Sequence, residues 1–178
     1  MPNRFPQEAL LRDGRRLLIR PFAANDTQAL WELFQRLPAD VRRFAWDRID
    51  DRGLVESWGR NLDYDKVFPL LAVDNGRVVA DATLHFREHG PLRRTGRLKW
   101  LIDPEYRNQG LGTLMVNHFI TTAKANGLRH LTCMLISDLE ADAVKVLEEL
   151  GFAAYIFPGY GTDPDGEPHD MTKLILEL

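Results

Sequence analysis

The chain has 178 residues, a net charge of −3 and 44% hydrophobic residues, which suits one domain with a substantial buried core. The small negative charge argues against bulk attraction to nucleic acid, and the single cysteine, Cys133, excludes an internal disulfide and a cysteine-based zinc cluster. No apolar run approaches the roughly 20 residues of a membrane helix, and Met1-Pro2-Asn3-Arg4-Phe5 lacks the apolar stretch of a signal peptide, so a soluble cytoplasmic protein, off the membrane, is expected.

Residues 1–15 read as a loose N-terminal arm with a turn at Asp13-Gly14, and residues 16–178 as a single domain. Leu17-Leu18-Ile19-Arg20 reads as a short strand stopped by Pro21. Asn25-Asp26 then caps a helix whose apolar stripe is Leu30, Leu33, Phe34 and Leu37. Val41, Phe44 and Ala45 suggest a second short helix. Leu54, Val55 and Trp58 suggest a third over residues 52–62. Strands over 68–73 and 77–86 flank Asp74-Asn75-Gly76, a hairpin signal. After a polar connection at 92–95, residues 98–102 form a strand with Leu98, Trp100 and Ile102 on one face. A helix follows, carrying Leu111, Leu114, Met115, Phe119 and Ala123 on one side and stopping at Asn126-Gly127. Residues 131–136 are apolar on both faces, as in a central strand. The strand–helix–strand spacing implies a right-handed parallel crossover. Val144, Leu147 and Leu150 mark a further helix closed by Gly151. Residues 153–157 and 171–178 read as the last strands, separated by a long acidic loop over 159–168. The class is α/β, a mixed sheet of about seven strands with helices on both faces.

The chemistry centres on Arg107-Asn108-Gln109-Gly110-Leu111-Gly112, between a strand and a helix. The first N–H groups of a helix lack partners and the helix dipole adds positive charge there, so this turn is a site for an anion. Gly110 and Gly112 would let a phosphate approach the backbone. Two common phosphate motifs fail. Gly112-Thr113-Leu114 does not end in the Gly-Lys-Ser/Thr of a P-loop, and Met115 stands where a dinucleotide fingerprint needs glycine or alanine.

The segment Leu101-Ile102-Asp103-Pro104-Glu105-Tyr106-Arg107-Asn108-Gln109-Gly110-Leu111-Gly112 resembles the acetyl-CoA motif of the GNAT superfamily of N-acetyltransferases, Arg/Gln-x-x-Gly-x-Gly/Ala after a strand. Residues 143–150 followed by Gly151-Phe152 resemble that family's next landmark, a helix closing in Gly-Phe. The resemblance implies a GNAT-like acyl-CoA N-acyltransferase fold and acetyl-CoA as co-substrate, with no metal. It implies that Leu101, Ile102, Asp103, Arg107, Asn108, Gln109, Gly110, Leu111, Gly112 and Thr113 hold the coenzyme. Backbone N–H groups between Arg107 and Thr113 would take the pyrophosphate. The pantetheine arm would pair along residues 101–103 like an added strand, and the Ile102 N–H would polarise the thioester carbonyl.

Three positions depart from the family pattern. Leu147 stands where many members carry a tyrosine acid, Glu140 where an asparagine is frequent, and Arg97 where a glutamate is frequent. The usual acid and base are therefore unassigned. Tyr155 and Tyr160 could donate a proton, although packing or surface roles are commoner for such residues. Asp81 and His85 share one face of a strand and could deprotonate an amine through water. Cys133, His118 and His130 read as packing or strand-edge residues. Asp163-Pro164-Asp165-Gly166-Glu167 reads as a turn instead of a calcium loop.

The acceptor implied is an amine, on a small molecule or a protein lysine. The opening Leu11-Arg12-Asp13-Gly14 through Ile19-Arg20-Pro21 is similar to the start of GNAT domains in bacterial protein lysine acetyltransferases. Acidic residues Asp47, Asp50, Asp51, Asp163, Asp165, Glu167 and Asp170 would suit a cationic amine. A monomer or homodimer is expected. The alternative is a non-catalytic acyl-CoA-binding module, motivated by the absent tyrosine and asparagine.

Overall fold

The computed structural model describes residues 5–178. Residues 1–4, part of the expected arm and of the signal-peptide reading, lie outside the described residues. Eight strands and five α-helices follow one another along these residues, in two compact units. The first holds the chain up to Leu84 together with Lys99–Met115, and the second His85–Leu98 with Val116–Leu178.

In the first unit, β1 (Gln7–Leu10) pairs antiparallel with β2 (Arg16–Pro21), which pairs antiparallel with β3 (Val67–Asp74). β3 is followed by β4 (Arg77–His85) and then by β5 (Thr95–Ile102), whose last residues belong to this unit. Residues 7–10, expected in a loose arm, are thus a strand: Gln7 lies opposite Ile19 and Leu10 opposite Arg16. The expected turn at Asp13-Gly14 links β1 to β2, with Gly14 at φ +88° and its N–H donating to the Leu11 carbonyl. At the β3–β4 hairpin, Asn75 and Gly76 have φ of +48° and +84°, the pair of positive values that a type I′ turn needs.

Three helices complete this unit: α1 (Thr27–Arg36), α2 (Ala39–Arg43) and α3 (Arg52–Arg60). The expected stripe is the core: Leu30, Leu33, Phe34 and Leu37 pack with Phe22, Ile49, Val55, Leu71, Val73 and Val78. Truncating one of these to alanine costs roughly 2–5 kcal/mol. Asp26 precedes α1, but its carboxylate makes no cap bond to the helix. It takes the Arg20 guanidinium at 2.6 and 2.7 Å and the Ala23 N–H at 2.8 Å instead. Asp51 does cap α3, accepting from the Leu54 N–H at 3.0 Å, worth about 1 kcal/mol.

In the second unit, the first part of β5 runs parallel to β6 (His130–Ile136), from Thr95 opposite His130 to Arg97 opposite Thr132. β5 therefore begins three residues before its expected start, because this pairing recruits Thr95, Gly96 and Arg97. β6 pairs antiparallel with β8 (Pro168–Glu177), and β8 with β7 (Ala153–Thr162). The last hairpin is longer than expected. Residues 158–162 and 168–170 join the strands around an irregularity between Phe157 and Gly161, leaving only the tight turn of 163–167. There Asp163 Oδ1 accepts the Asp165 and Glu167 N–H groups at 2.8 and 2.9 Å. The helix α4 (Leu111–Ala125) ends as expected: Gly127 has φ +69° and the Leu128 N–H reaches back to the Ala123 carbonyl. The helix α5 (Ala141–Glu149) packs on β7 and β8 through buried Leu147. No helix among the described residues is long and apolar enough to cross a membrane.

Candidate functional site

The site is built from the end of β5 onward, within the first unit. Asp103 is buried and all its polar groups are engaged. Its N–H donates to the Val79 carbonyl at 2.9 Å, and its carbonyl accepts the Tyr106 N–H at 2.9 Å. Its carboxylate takes Arg77 at 2.9 Å, Arg36 at 3.3 Å and the Glu105 N–H at 3.2 Å. Successive peptide N–H groups of an extended chain point to opposite edges. The Asp103 N–H faces β4, so the Ile102 N–H faces the other edge of β5. The Ile102 carbonyl, on that same edge, accepts Arg107 Nε at 3.2 Å.

Beyond Pro104 the chain makes a 3-10 turn over Pro104–Tyr106. Tyr106 is buried; its hydroxyl donates to Asp74 Oδ2 at 2.6 Å, and the Arg15 guanidinium lies 3.9 Å from its ring centroid. Burial, with the bond to Asp74, pushes the Tyr106 phenol above its ordinary pKa, so it stays protonated and serves as a pin. Asn108 and Gly110 then adopt φ of +58° and +86°. This reversal turns the loop into α4. The Arg107 N–H is used by the Pro104 carbonyl at 3.2 Å, and the Leu114 N–H by the Gly110 carbonyl at 3.1 Å. Between them, the N–H groups of Asn108, Gln109, Gly110, Leu111, Gly112 and Thr113 have no acceptor among the described residues. These donors, at the positive end of α4, form a cradle for an anion. Gly110 needs its left-handed φ, whereas a Cβ on Gly112 would meet only Ile102 Cδ1 at 3.7 Å.

Asp81 lies on β4 in the same unit, half-buried. Burial and the neighbouring charge of Asp47 raise its pKa to about 7, with Lys99 opposing. Lys99 Nζ holds Asp47 Oδ2 at 2.6 Å. Although Asp81 retains some solvent contact, the protein surrounding it disfavours its charged form. A carboxyl that titrates near neutrality suits proton transfer.

The other candidates belong to the second unit. His85 ends β4, half-buried, and belongs to the second unit. Tyr155 and Tyr160 lie on β7 in that unit, 52% and 69% exposed. Leu147 is core, and Glu140 Oε2 accepts the Ile136 N–H at 2.7 Å, so neither offers an acid. The Cys133 thiol is buried, which with Glu140 nearby pushes its pKa up to about 12 and leaves it inert. Burial pushes the His118 pKa down. Asp163 Oδ1 accepts N–H groups of its own turn while Oδ2 lies 3.9 Å from His169 Nε2, and Asp170 Oδ1 accepts the Gly159 N–H at 2.8 Å. Sequence reasoning missed Arg15, Arg36, Arg77 and Lys99. Only Lys99 carried a signal, a cation inside an otherwise apolar strand.

A model of the Acetyltransferase (GNAT) family matches residues 27–152. Among solved structures, the GNAT domain of Streptomyces lividans PAT is similar at a TM-score of 0.80 and 17% identity, over 100% of this chain and 99% of that one. The Salmonella typhimurium protein yncA, solved with its cofactor acetyl-CoA, is similar at 0.76 and 21% identity, over 91% and 94%. The ribosomal-protein-S5-alanine acetyltransferase of Vibrio fischeri is similar at 0.77 and 19% identity, over 95% and 97%. At these identities the likeness is one of fold, the acyl-CoA N-acyltransferase mixed sheet with helices.

Proposed function

The chain belongs to the acetyltransferase (GNAT) family and transfers acetyl groups from acetyl-CoA; from that premise we propose that its acceptor is an amine, on a protein lysine or a small cation, attacking directly within a ternary complex. Residues 16–178 act as the catalytic domain in this reading, supported by a family match that runs from α1 to Phe152.

The coenzyme diphosphate sits on the free N–H groups from Asn108 to Thr113, held by backbone dipoles more than by charged side chains. The pantetheine amides pair with the open edge at Leu101 and Ile102. Asp103 and Arg107 position this edge. Asp103 has no free polar group for the coenzyme, and the Arg107 guanidinium braces the Ile102 carbonyl. The Ile102 N–H polarises the thioester carbonyl.

The amine nitrogen attacks the carbonyl carbon and the electron pair moves to oxygen, where the Ile102 N–H stabilises the oxyanion. Collapse breaks the C–S bond and releases the coenzyme thiolate. A thiol with a pKa of about 8.5 leaves without a dedicated acid, in keeping with Leu147 at the usual tyrosine position. The proton lost by the amine passes to Asp81, directly or through water. Asp81 and Asp47 also favour a cationic acceptor over a neutral one, with Lys99 limiting the effect.

One observation carries this reading: a row of unpartnered N–H groups, Asn108 to Thr113, comes one short turn after a strand whose terminal N–H, at Ile102, faces away from β4. Thiol release from acetyl-CoA, measured with a panel of amines, peptides and proteins, tests it. Turnover on a lysine or cationic amine supports the proposal. Coenzyme binding without turnover on any acceptor favours the second reading, an acyl-CoA-binding module, for which the core position of Leu147 and the engaged Glu140 speak.

A further inference from the structure

The turn between β1 and β2 closes on the glycine loop within the first unit. The Arg12 N–H donates to the Gln109 carbonyl at 3.1 Å. Arg15 Nη2 donates to the Glu105 carbonyl at 2.7 Å, and the same guanidinium covers the Tyr106 ring. The turn that carries Arg12 is thus tied to the loop at two points, through the Arg12 N–H and the Arg15 side chain.

Its side chain runs along Gly110. A Cβ built on that glycine would lie 3.8 Å from Arg12 Nε and 4.0 Å from its Cγ. Neighbouring arginines are committed: Arg15 to Asp13, Arg36 and Arg77 to Asp103, and Arg107 to the Ile102 carbonyl. The Arg12 guanidinium is exposed and has no hydrogen-bond or ion-pair partner among the described residues. Arginine's planar fork of donors matches phosphate oxygens.

We propose that Arg12 binds a phosphate group of acetyl-CoA, making the N-terminal hairpin one wall of the coenzyme site. This rests on the coenzyme reading above and extends it to a segment that precedes the residues of the family match. Two sources share the chemistry, the diphosphate and the ribose 3′-phosphate.

The test compares Kd values of wild type, Arg12→Gln and Arg12→Lys for acetyl-CoA, its 3′-dephospho form and S-acetylpantetheine. The expected result is a Kd for acetyl-CoA raised about three- to tenfold in Arg12→Gln, as for loss of one charge-assisted contact, with Arg12→Lys in between and S-acetylpantetheine unchanged. An effect that persists with the dephospho form assigns the diphosphate; one that vanishes assigns the 3′-phosphate. Equal acetyl-CoA affinity in wild type and Arg12→Gln overturns the inference and leaves the coenzyme site standing. A matching loss for S-acetylpantetheine also overturns it, since the hairpin would then act only by packing. No acetyl-CoA binding by the wild type would remove the coenzyme reading itself, and this inference with it.

Discussion

The backbone N–H of Asp103 donates to the carbonyl of Val79 at 2.9 Å, and this one bond decides which edge of β5 presents the Ile102 N–H. The Asp103 side chain secures the same peptide by gathering Arg36, Arg77 and the Glu105 N–H. A buried carboxylate thereby fixes the backbone donor that, in the proposed reaction, polarises the thioester, without itself meeting the substrate.

Replacing Asp103 with alanine leaves Arg36 without its anion and Arg77 with only Glu105, at 3.7 Å. A fully buried pair broken in this way costs about 3–5 kcal/mol. Arg36 and Arg77 are 29% and 43% exposed, so solvent screening lowers the expected loss to roughly 2–3 kcal/mol. Urea denaturation measures it. Acetyl-CoA affinity should fall as well, because the Ile102 edge loosens.

The two glycines of the loop should respond differently. Gly110 has φ +86°, so Gly110→Val strains the turn and crowds the cradle, and acetyl-CoA Kd should rise about tenfold or more. Gly112→Ala adds a methyl in ordinary contact with Ile102 Cδ1 at 3.7 Å, and its Kd should stay within about threefold of wild type on the same packing ground. Calorimetric titration with paired melting curves separates binding from folding.

Asp81 predicts the pH profile. Its pKa near 7 means that the base is protonated in acid, so kcat/KM should rise as pH climbs toward 7 and then level off. Asp81→Asn should remove that limb. Asp47→Asn removes a charge that raises the Asp81 pKa, so the inflection should move to lower pH. Lys99→Met should move it higher.

The same residue makes a stability prediction of fixed sign. Its folded pKa lies above the ordinary value of about 3.9, so the folded state holds the proton more tightly than the unfolded chain. The favourable contribution is full below pH of about 3.9 and is lost as pH rises through about 7. Asp81→Asn should therefore raise Tm over wild type more at pH 8 than at pH 5, in thermal melts followed by circular dichroism.

Local signals were legible in the chain, and long-range ones were not. The stripe of α1, the Asn75-Gly76 hairpin, the stop at Gly127 and the glycine loop all depend on residues close in sequence. β1 was illegible because Gln7-Glu8-Ala9-Leu10 has little apolar patterning, and β2 organises it. The β7–β8 hairpin was read too short because Pro158 and Gly159 look like loop residues, yet an irregularity in the ladder absorbs them. Asp26 looked like a cap, but Arg20 draws its carboxylate away. Within the site, the free donors run from Asn108 to Thr113, one residue short of the expected range because the Pro104 carbonyl takes the Arg107 N–H. The grouping of Asp47, Asp81 and Lys99 joins the segment between α2 and α3 to β4 and β5, and no spacing rule finds it.

The most direct test follows the backbone amides of Asn108, Gln109, Gly110, Leu111, Gly112 and Thr113 by NMR while acetyl-CoA is added to isotope-labelled protein. Hydrogen bonds from these N–H groups to the diphosphate predict large, saturable downfield proton shifts here and at Ile102, with S-acetylpantetheine moving Ile102 but not the loop. Saturating acetyl-CoA that binds and leaves the loop amides unshifted would contradict the account.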